Sequence, residues 1–196
     1  MLKGVVMCTQ IIESLNFHFI KTCNMRCKFC FAVFDDVKNT VLPKGILSKE
    51  KLFQIIHKIG DSGYFKKLNF VGGEPTLCPW LPEMLAYAKS FGLQTSIVTN
   101  GSKLTHEFLD QIRPVIDWIG ISIDSGKPET HQRIGRTSGG RNPIEPGQYI
   151  ETARLIRSYS IGFKVNTVVC SENWDENMVD FISAMKPQCW KIFQVL

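Results

Sequence analysis

A chain of 196 residues, 44% hydrophobic and 21% charged, has ordinary globular composition and the length of one domain, which excludes disordered and collagen-like classes. The net charge of +5 is mild, and Lys and Arg are spread along the chain rather than run together, so a stable nucleic-acid surface is not indicated. Apolar stretches end after about five to eight residues against the ~20 a spanning helix needs, and residues 1–12 hold no sustained apolar leader; a cytoplasmic protein without membrane attachment is expected.

Residues 14–20 (SLNFHFI) alternate, and on a strand that pattern puts Asn16 and His18 on one face and Leu15, Phe17 and Phe19 on the other. The strand runs into Cys23, Cys27 and Cys30, spaced C-x3-C-x2-C. Three thiols at that spacing can converge on one iron–sulfur cluster. A structural zinc or electron-transfer site normally closes with four protein ligands, so an incomplete set leaves one iron for a small molecule. Three unrelated buried cysteines, or a zinc knuckle completed by His18 or a distant Cys, remain the alternatives. Seven cysteines is an odd count, and these three lie too close together for a disulfide framework, so reduced thiols are expected. The scattered Cys8, Cys78, Cys170 and Cys189 read as buried small residues.

Residues 33–45 read as irregular, with Pro43 and Gly45 as punctuation. Ser48 then caps an amphipathic helix that carries Leu52, Ile55, Ile56 and Ile59 and ends near Gly60. A second alternating strand over 67–71 enters Gly72-Gly73-Glu74-Pro75, and a helix over 79–91 opens on proline. A third strand over 93–99 closes on Asn100-Gly101 and is followed by a helix over 104–112; the fourth strand covers 117–124. A connection rich in Gly, Ser and Pro over 135–147 leads to a helix over 148–159, a strand over 163–169, a helix over 174–185 and a sixth strand over 190–195. Six alternations of strand and helix predict an α/β fold. Repeated βαβ units would curl into a partial (βα)6 TIM-like barrel, in one domain over 1–196.

Strands buried on both faces should read almost continuously apolar. Here Asn16 with His18, Lys67 with Asn69, Ser122 with Asp124, and Lys164 with Asn166 are i, i+2 pairs, each sharing one face of its strand. With helices outside, that face is the lumen, where a lysine needs an anion or water. The alternative for any one pair is a strand end that touches solvent. Barrel sites gather at the C-terminal ends of strands, where the cysteine loop, Gly72 to Pro75, Thr99-Asn100 and Asp124 fall. Gly72 and Gly73 permit close backbone approach to a ligand, and Glu74 can accept from an ammonium group.

C-x3-C-x2-C with Phe29 before the third Cys resembles the signature of the radical S-adenosylmethionine (SAM) superfamily. The segments SLNFHF, CKFCF, KLNFVGGEP, IGR, FKVN and WKIFQ, in this order, resemble viperin and its prokaryotic relatives. The resemblance implies a [4Fe–4S] cluster on Cys23, Cys27 and Cys30 whose fourth iron binds SAM, and reductive cleavage of SAM to a 5′-deoxyadenosyl radical. It also implies SAM contacts from Phe29, Gly72, Gly73, Glu74, Thr99, Ser122 and Arg136. A nucleoside triphosphate would be held by Asn16, His18, Lys67, Lys164, Asn166 and Lys191, with the lysines on the triphosphate. The implied reaction is dehydration: the ribose loses its C4′ hydrogen and its 3′ hydroxyl, giving a 3′-deoxy-3′,4′-didehydro nucleotide that terminates viral RNA synthesis. A flavodoxin- or ferredoxin-type electron donor is the implied partner.

Departures accompany the likeness. Cys189 stands where vertebrate viperin has an arginine and Val71 where it has a serine, so one phosphate contact and one polar contact are expected to be missing. The family's amphipathic N-terminal helix is not seen. Nor is the C-terminal segment that in viperin covers the substrate and reads its base, so a trimmed chain or a different closure is expected. The rival readings are a radical SAM enzyme acting on a peptide, a cofactor precursor or a glycyl-radical partner, and a non-catalytic iron–sulfur or zinc protein.

Overall fold

The computed structural model describes residues 11–30, 47–139 and 142–195. Expectations that concern residues 1–10, the stretch over 33–45 and Cys8 lie outside them. In chain order the elements are β1 (Leu15–Ile20), α1 (Lys49–Asp61), β2 (Lys67–Gly72), α2 (Leu81–Ser90), β3 (Gln94–Thr99), α3 (His106–Ile112), β4 (Trp118–Ser122), α4 (Pro128–Ile134), β5 (Thr137–Ser138), β6 (Asn142–Pro143), α5 (Pro146–Ser158), β7 (Gly162–Val169), α6 (Val179–Met185) and β8 (Cys189–Gln194). Strands β1, β2, β3, β4, β7 and β8 pair in parallel in that order, while β5 and β6 form a separate antiparallel pair. The first and last parallel strands both wall one cavity, so the sheet is curled into the expected partial (βα)6 barrel, open between β1 and β8. Among the described residues no helix is long and apolar enough to cross a membrane.

Period-two alternation divides the inner strands between two environments. Leu68 and Phe70 of β2, Ile97 of β3, Ile119 and Ile121 of β4, and Phe163 and Val165 of β7 are buried in one core with Leu52, Leu81, Leu85, Leu109, Ile156 and Ile182 of the helices. Each such side chain stabilises the fold by about 1.5–3 kcal/mol. Their neighbours Asn69, Ser122, Lys164 and Asn166 turn instead to the cavity. Helix α1 starts where expected because Ser48 accepts a hydrogen bond from the Lys51 N–H, and Leu52 and Ile56 fall on its buried face.

The structure differs from the sequence expectation at four places. Helix α4 lies in a stretch not expected to be helical; it opens on Pro128 and ends at a left-handed Gly135, both good boundary signals, but its seven residues are too few for a clear apolar period. The connection over 135–147 contains the short β5–β6 pair. Helix α6 starts at Val179 rather than near 174, because the Asn173 side chain accepts from the Cys170 N–H and donates to the carbonyls of Asp124 and Val168, holding a turn there. Strand β4 ends at Ser122, so Asp124 is not a lumen strand residue; it is fully buried in a polar cluster described below.

Candidate active site

A cavity of about 510 Å³ opens at the C-terminal ends of the strands and reaches down their inner face. Its wall brings together Cys23, Cys27, Cys30, Phe29, Gly72, Gly73, Glu74, Thr99, Ser122 and Arg136 with Asn16, His18, Lys164, Asn166 and Lys191. Of the site residues singled out in the sequence, Lys67 and Asp124 are off this wall. Asn69 and Asn100, read from the sequence as a lumen-facing and a strand-end residue without an assigned ligand, also line it, as do Met25, Val98 and Phe193, to which the sequence gave no role. For Asn69 the signal was present, since it shares a strand face with Lys67.

The cysteine loop is held by its neighbours. The N–H groups of Arg26 and Lys28 donate to the carbonyls of Gly135 and Ile134 at the end of α4, at 3.2 and 2.8 Å. Gly135 has φ +85°, and a Cβ there would lie 2.3 Å from the Arg26 carbonyl oxygen, so only glycine fits. The three thiols are half-buried and free. Burial pushes the Cys23 and Cys27 thiols up, with Arg136 pulling both partly back, so binding a metal there must displace protons.

At the end of β2, the close approach that Gly73 permits is made by the chain itself. The N–H groups of Gly73 and Glu74 donate to the carbonyls of Ile20 and Thr22 at 2.6 and 2.8 Å, and a Cβ on Gly73 would sit 2.2 Å from the Thr22 oxygen. This segment is thereby fused to the entry of the cysteine loop. The Glu74 side chain, 1% exposed, accepts four hydrogen bonds: from the Thr76 N–H and hydroxyl, from the Thr99 hydroxyl and from the Asn100 N–H, at 2.6–3.1 Å. Three of these donors meet Oε1 and the Asn100 N–H meets Oε2, which keeps capacity for one more donor.

Arg136 is buried against Asp124. Its Nε donates to Oδ2 at 2.5 Å, Nη2 pairs with the same oxygen, and Nη1 donates to the Ser122 carbonyl at 3.3 Å. The other Asp124 oxygen accepts from the Val168 N–H. Burial alone would lower the guanidinium pKa, but Asp124 outweighs it and holds the side chain cationic.

At the opposite end lie the lysines. Lys164, 8% exposed, crosses β4 in a slot left by Gly120, where a Cβ would lie 2.7 Å from Lys164 Cε; its ammonium sits 3.4 Å from the Ser96 hydroxyl. Burial, then Lys67 and Lys191, push its pKa down to about 8. Lys67 is also lowered, by burial and by Lys191, and its ammonium lies 5.2 Å from the centre of the Trp118 ring. The three lysines therefore act on one another, although Lys67, two residues before Asn69 on the same strand face, does not itself line the cavity. Asn16, His18 and Lys191 lie on the edge strands and stay exposed, as the strand-end alternative allowed; Asn69 and Lys164 do not. The Asn69 and Asn166 carbonyl oxygens are buried without a hydrogen-bond partner. Cys189 pairs in register with Lys164, and Val71 is on the wall.

One pocket thus carries three thiols at its mouth and a group of cations at its base. The Radical SAM superfamily profile matches residues 17–182, and the chain belongs to that superfamily, which uses a [4Fe–4S] cluster and SAM. Within it, the chain is similar to the S-adenosylmethionine-dependent nucleotide dehydratases of Flammeovirga pacifica (48% identity over 95% of this chain and 63% of the relative) and Lacinutrix mariniflava (46%, over 94% and 39%). It is also similar to the dehydratase RSAD2 of Danio rerio, at 33% identity over 94% of this chain and 50% of that protein. The chain therefore spans less than two thirds of the length of these curated relatives. In fold it is similar to anSMEcpe with bound AdoMet, at TM-score 0.73 and 19% identity over 94% of this chain and 51% of that one.

Proposed function

We propose that this chain is the core domain of a SAM-dependent nucleotide dehydratase, acting on a nucleoside triphosphate to give its 3′-deoxy-3′,4′-didehydro analogue. The observation that carries the reading is the cation group: Lys164 is buried beside Lys67 and Lys191, and among the described residues none of the three is in an ion pair. Like charges at close range without a counter-ion call for an anion, and a triphosphate supplies several negative oxygens at once. The similarity to nucleotide dehydratases points the same way. A peptide substrate would leave these lysines without a matching partner.

Cys23, Cys27 and Cys30 are assigned as the cluster ligands. Their thiols are free and all three line one cavity, which fits a four-iron cluster in which each would take its own iron. When bound, the cluster with SAM supplies one-electron cleavage of the sulfonium and abstraction of a hydrogen atom. The residues of the chain do the rest. Gly72 and Gly73 present backbone to the SAM methionyl group, Arg136 Nη1 and Ser122 face its carboxylate side, and Phe29 packs beside the cluster. Lys164, Lys191 and, through the field, Lys67 anchor the triphosphate with Asn16, His18 and Asn166, so that the ribose falls between the two ends. Partial burial holds the His18 pKa below its ordinary value in the free protein. A flavodoxin- or ferredoxin-type donor and a reducing cytoplasm complete the reading.

The test is anaerobic reconstitution with SAM, dithionite and each nucleoside triphosphate in turn. Mass spectrometry should show 5′-deoxyadenosine and a nucleotide lighter by one water. Equal affinity for a triphosphate and its bare nucleoside would sink the assignment of the lysines.

A further inference from the structure

The cysteine loop and the backbone at the end of β2 are joined through a third element. Asn24, between the first two cysteines, accepts a hydrogen bond on Oδ1 from Asn100 Nδ2 at 2.8 Å. Asn24 Nδ2 donates to the hydroxyls of Ser102 and Ser138, at 2.9 and 3.3 Å, and its carbonyl accepts from the Gly139 N–H at 3.0 Å. Asn100, just past β3, accepts on Oδ1 from the Ser102 N–H at 2.9 Å and donates its own N–H to Glu74 Oε2 at 2.7 Å. Thr99 adds a hydroxyl to Glu74 Oε1. Each amide faces a donor with its oxygen and an acceptor with its nitrogen, so neither can flip without setting like groups against each other.

We infer that Glu74, Asn100 and Asn24 form a hydrogen-bonded strut that fixes the cysteine loop at a set distance from the Gly72–Gly73 backbone. The inference rests on reading the three cysteines as cluster ligands and the glycine backbone as the SAM cradle; it stands whatever the substrate is. One small molecule must satisfy the cradle and the open iron together, and a fixed separation makes the second contact intramolecular, with no ordering of the loop still to be done. Backbone bonds at Ile20 and Thr22 tie down only the entry to the loop. Asn24 ties down the segment between the first two ligands. Asn24 and Asn100 are positioning residues, and Glu74 is assigned to the strut, with three donors on Oε1 and the Asn100 N–H on Oε2.

Asn100→Ala removes the bond to Asn24 and leaves the backbone bond to Glu74. The variant and the parent are reconstituted anaerobically; iron per chain, SAM affinity with and without the cluster, and the electron paramagnetic resonance spectrum with and without SAM are measured. The expected result is normal iron content, unchanged SAM affinity of the cluster-free protein, an affinity of the cluster-loaded protein lower by about tenfold, and a weakened spectral response to SAM. Asn24→Ala cuts the same link from the other side and serves if Asn100→Ala does not fold. The double variant should lose less than the sum of the two single losses, since the shared Asn24–Asn100 bond is removed once while the bonds to Ser102 and Ser138 are lost separately. Unchanged affinity and spectral response, or additive losses in the double variant, overturn the strut. In Glu74→Gln, loss of SAM binding by the cluster-free protein overturns its part, because a direct ligand is lost without the cluster whereas a strut is not. A parent chain that takes up no iron overturns the cluster reading and the strut with it.

Discussion

The two ends of the cavity are built on opposite terms. At the mouth, the Glu74 carboxylate accepts from four donors, Arg136 and Asp124 neutralise each other, and Asn24 and Asn100 have partners on both sides of their amides. At the base, burial and then two other lysines press Lys164 toward neutrality, and two asparagine side-chain oxygens are buried with no donor. A buried polar atom without a partner costs about 1–3 kcal/mol. The contrast teaches that the mouth holds its geometry by itself, whereas the base is finished only by what binds there. On the proposed reading, stability is given up at the base in favour of affinity, as is common at functional sites.

Breaking the mouth should be the more drastic experiment. Cys30→Ala is expected to abolish SAM cleavage, read as 5′-deoxyadenosine, while triphosphate affinity at the base stays within a few-fold of the parent. Retained cleavage would remove Cys30 from the ligand set. Gly73→Val puts a side chain into the Thr22 carbonyl and should cost iron uptake as well as SAM binding; normal iron content would mean that the β2 end and the cysteine loop are not the single unit their hydrogen bonds suggest.

Arg136→Met leaves Asp124 buried and uncompensated, and should destabilise the protein by about 3–5 kcal/mol in denaturant unfolding. Lys164→Met should act in the reverse sense on stability: the unliganded protein becomes more stable as a buried like charge is removed, and triphosphate binding weakens by roughly ten- to a hundredfold, with SAM affinity unchanged. If both variants lose stability alike, the contrast between mouth and base fails.

The smallest effect expected is on pH dependence. In the free protein Lys164 titrates near 8, below the ordinary lysine value, and a bound triphosphate favours its ammonium form and raises it. Affinity should therefore be full below pH 8 and fall as pH rises through it, by roughly an order of magnitude between pH 7.5 and 9 in titration calorimetry. The Lys164→Met variant should show a flatter profile.

The alternation of strands and helices, the faces of the strands and the three-thiol loop were all legible in the chain. Those features are local: a period of two or of 3.6 is set within a few residues, and the cysteine spacing lies within eight. Lys67 and Lys164 could be placed on the inner face for that reason alone. What the chain did not disclose were the partners. That Asp124 leaves the lumen to neutralise Arg136, that Glu74 is spent on Thr76, Thr99 and Asn100, and that Asn173 delays α6 by bonding across to Asp124 and Val168 depend on which loops meet. The same holds for Lys164, whose stem needs Gly120 on the neighbouring strand, 44 positions earlier but opposite it in register. Sheet order and register bring these groups together across distances that a local pattern does not span, so only tertiary structure decides which polar residue becomes scaffold and which is left open for a ligand.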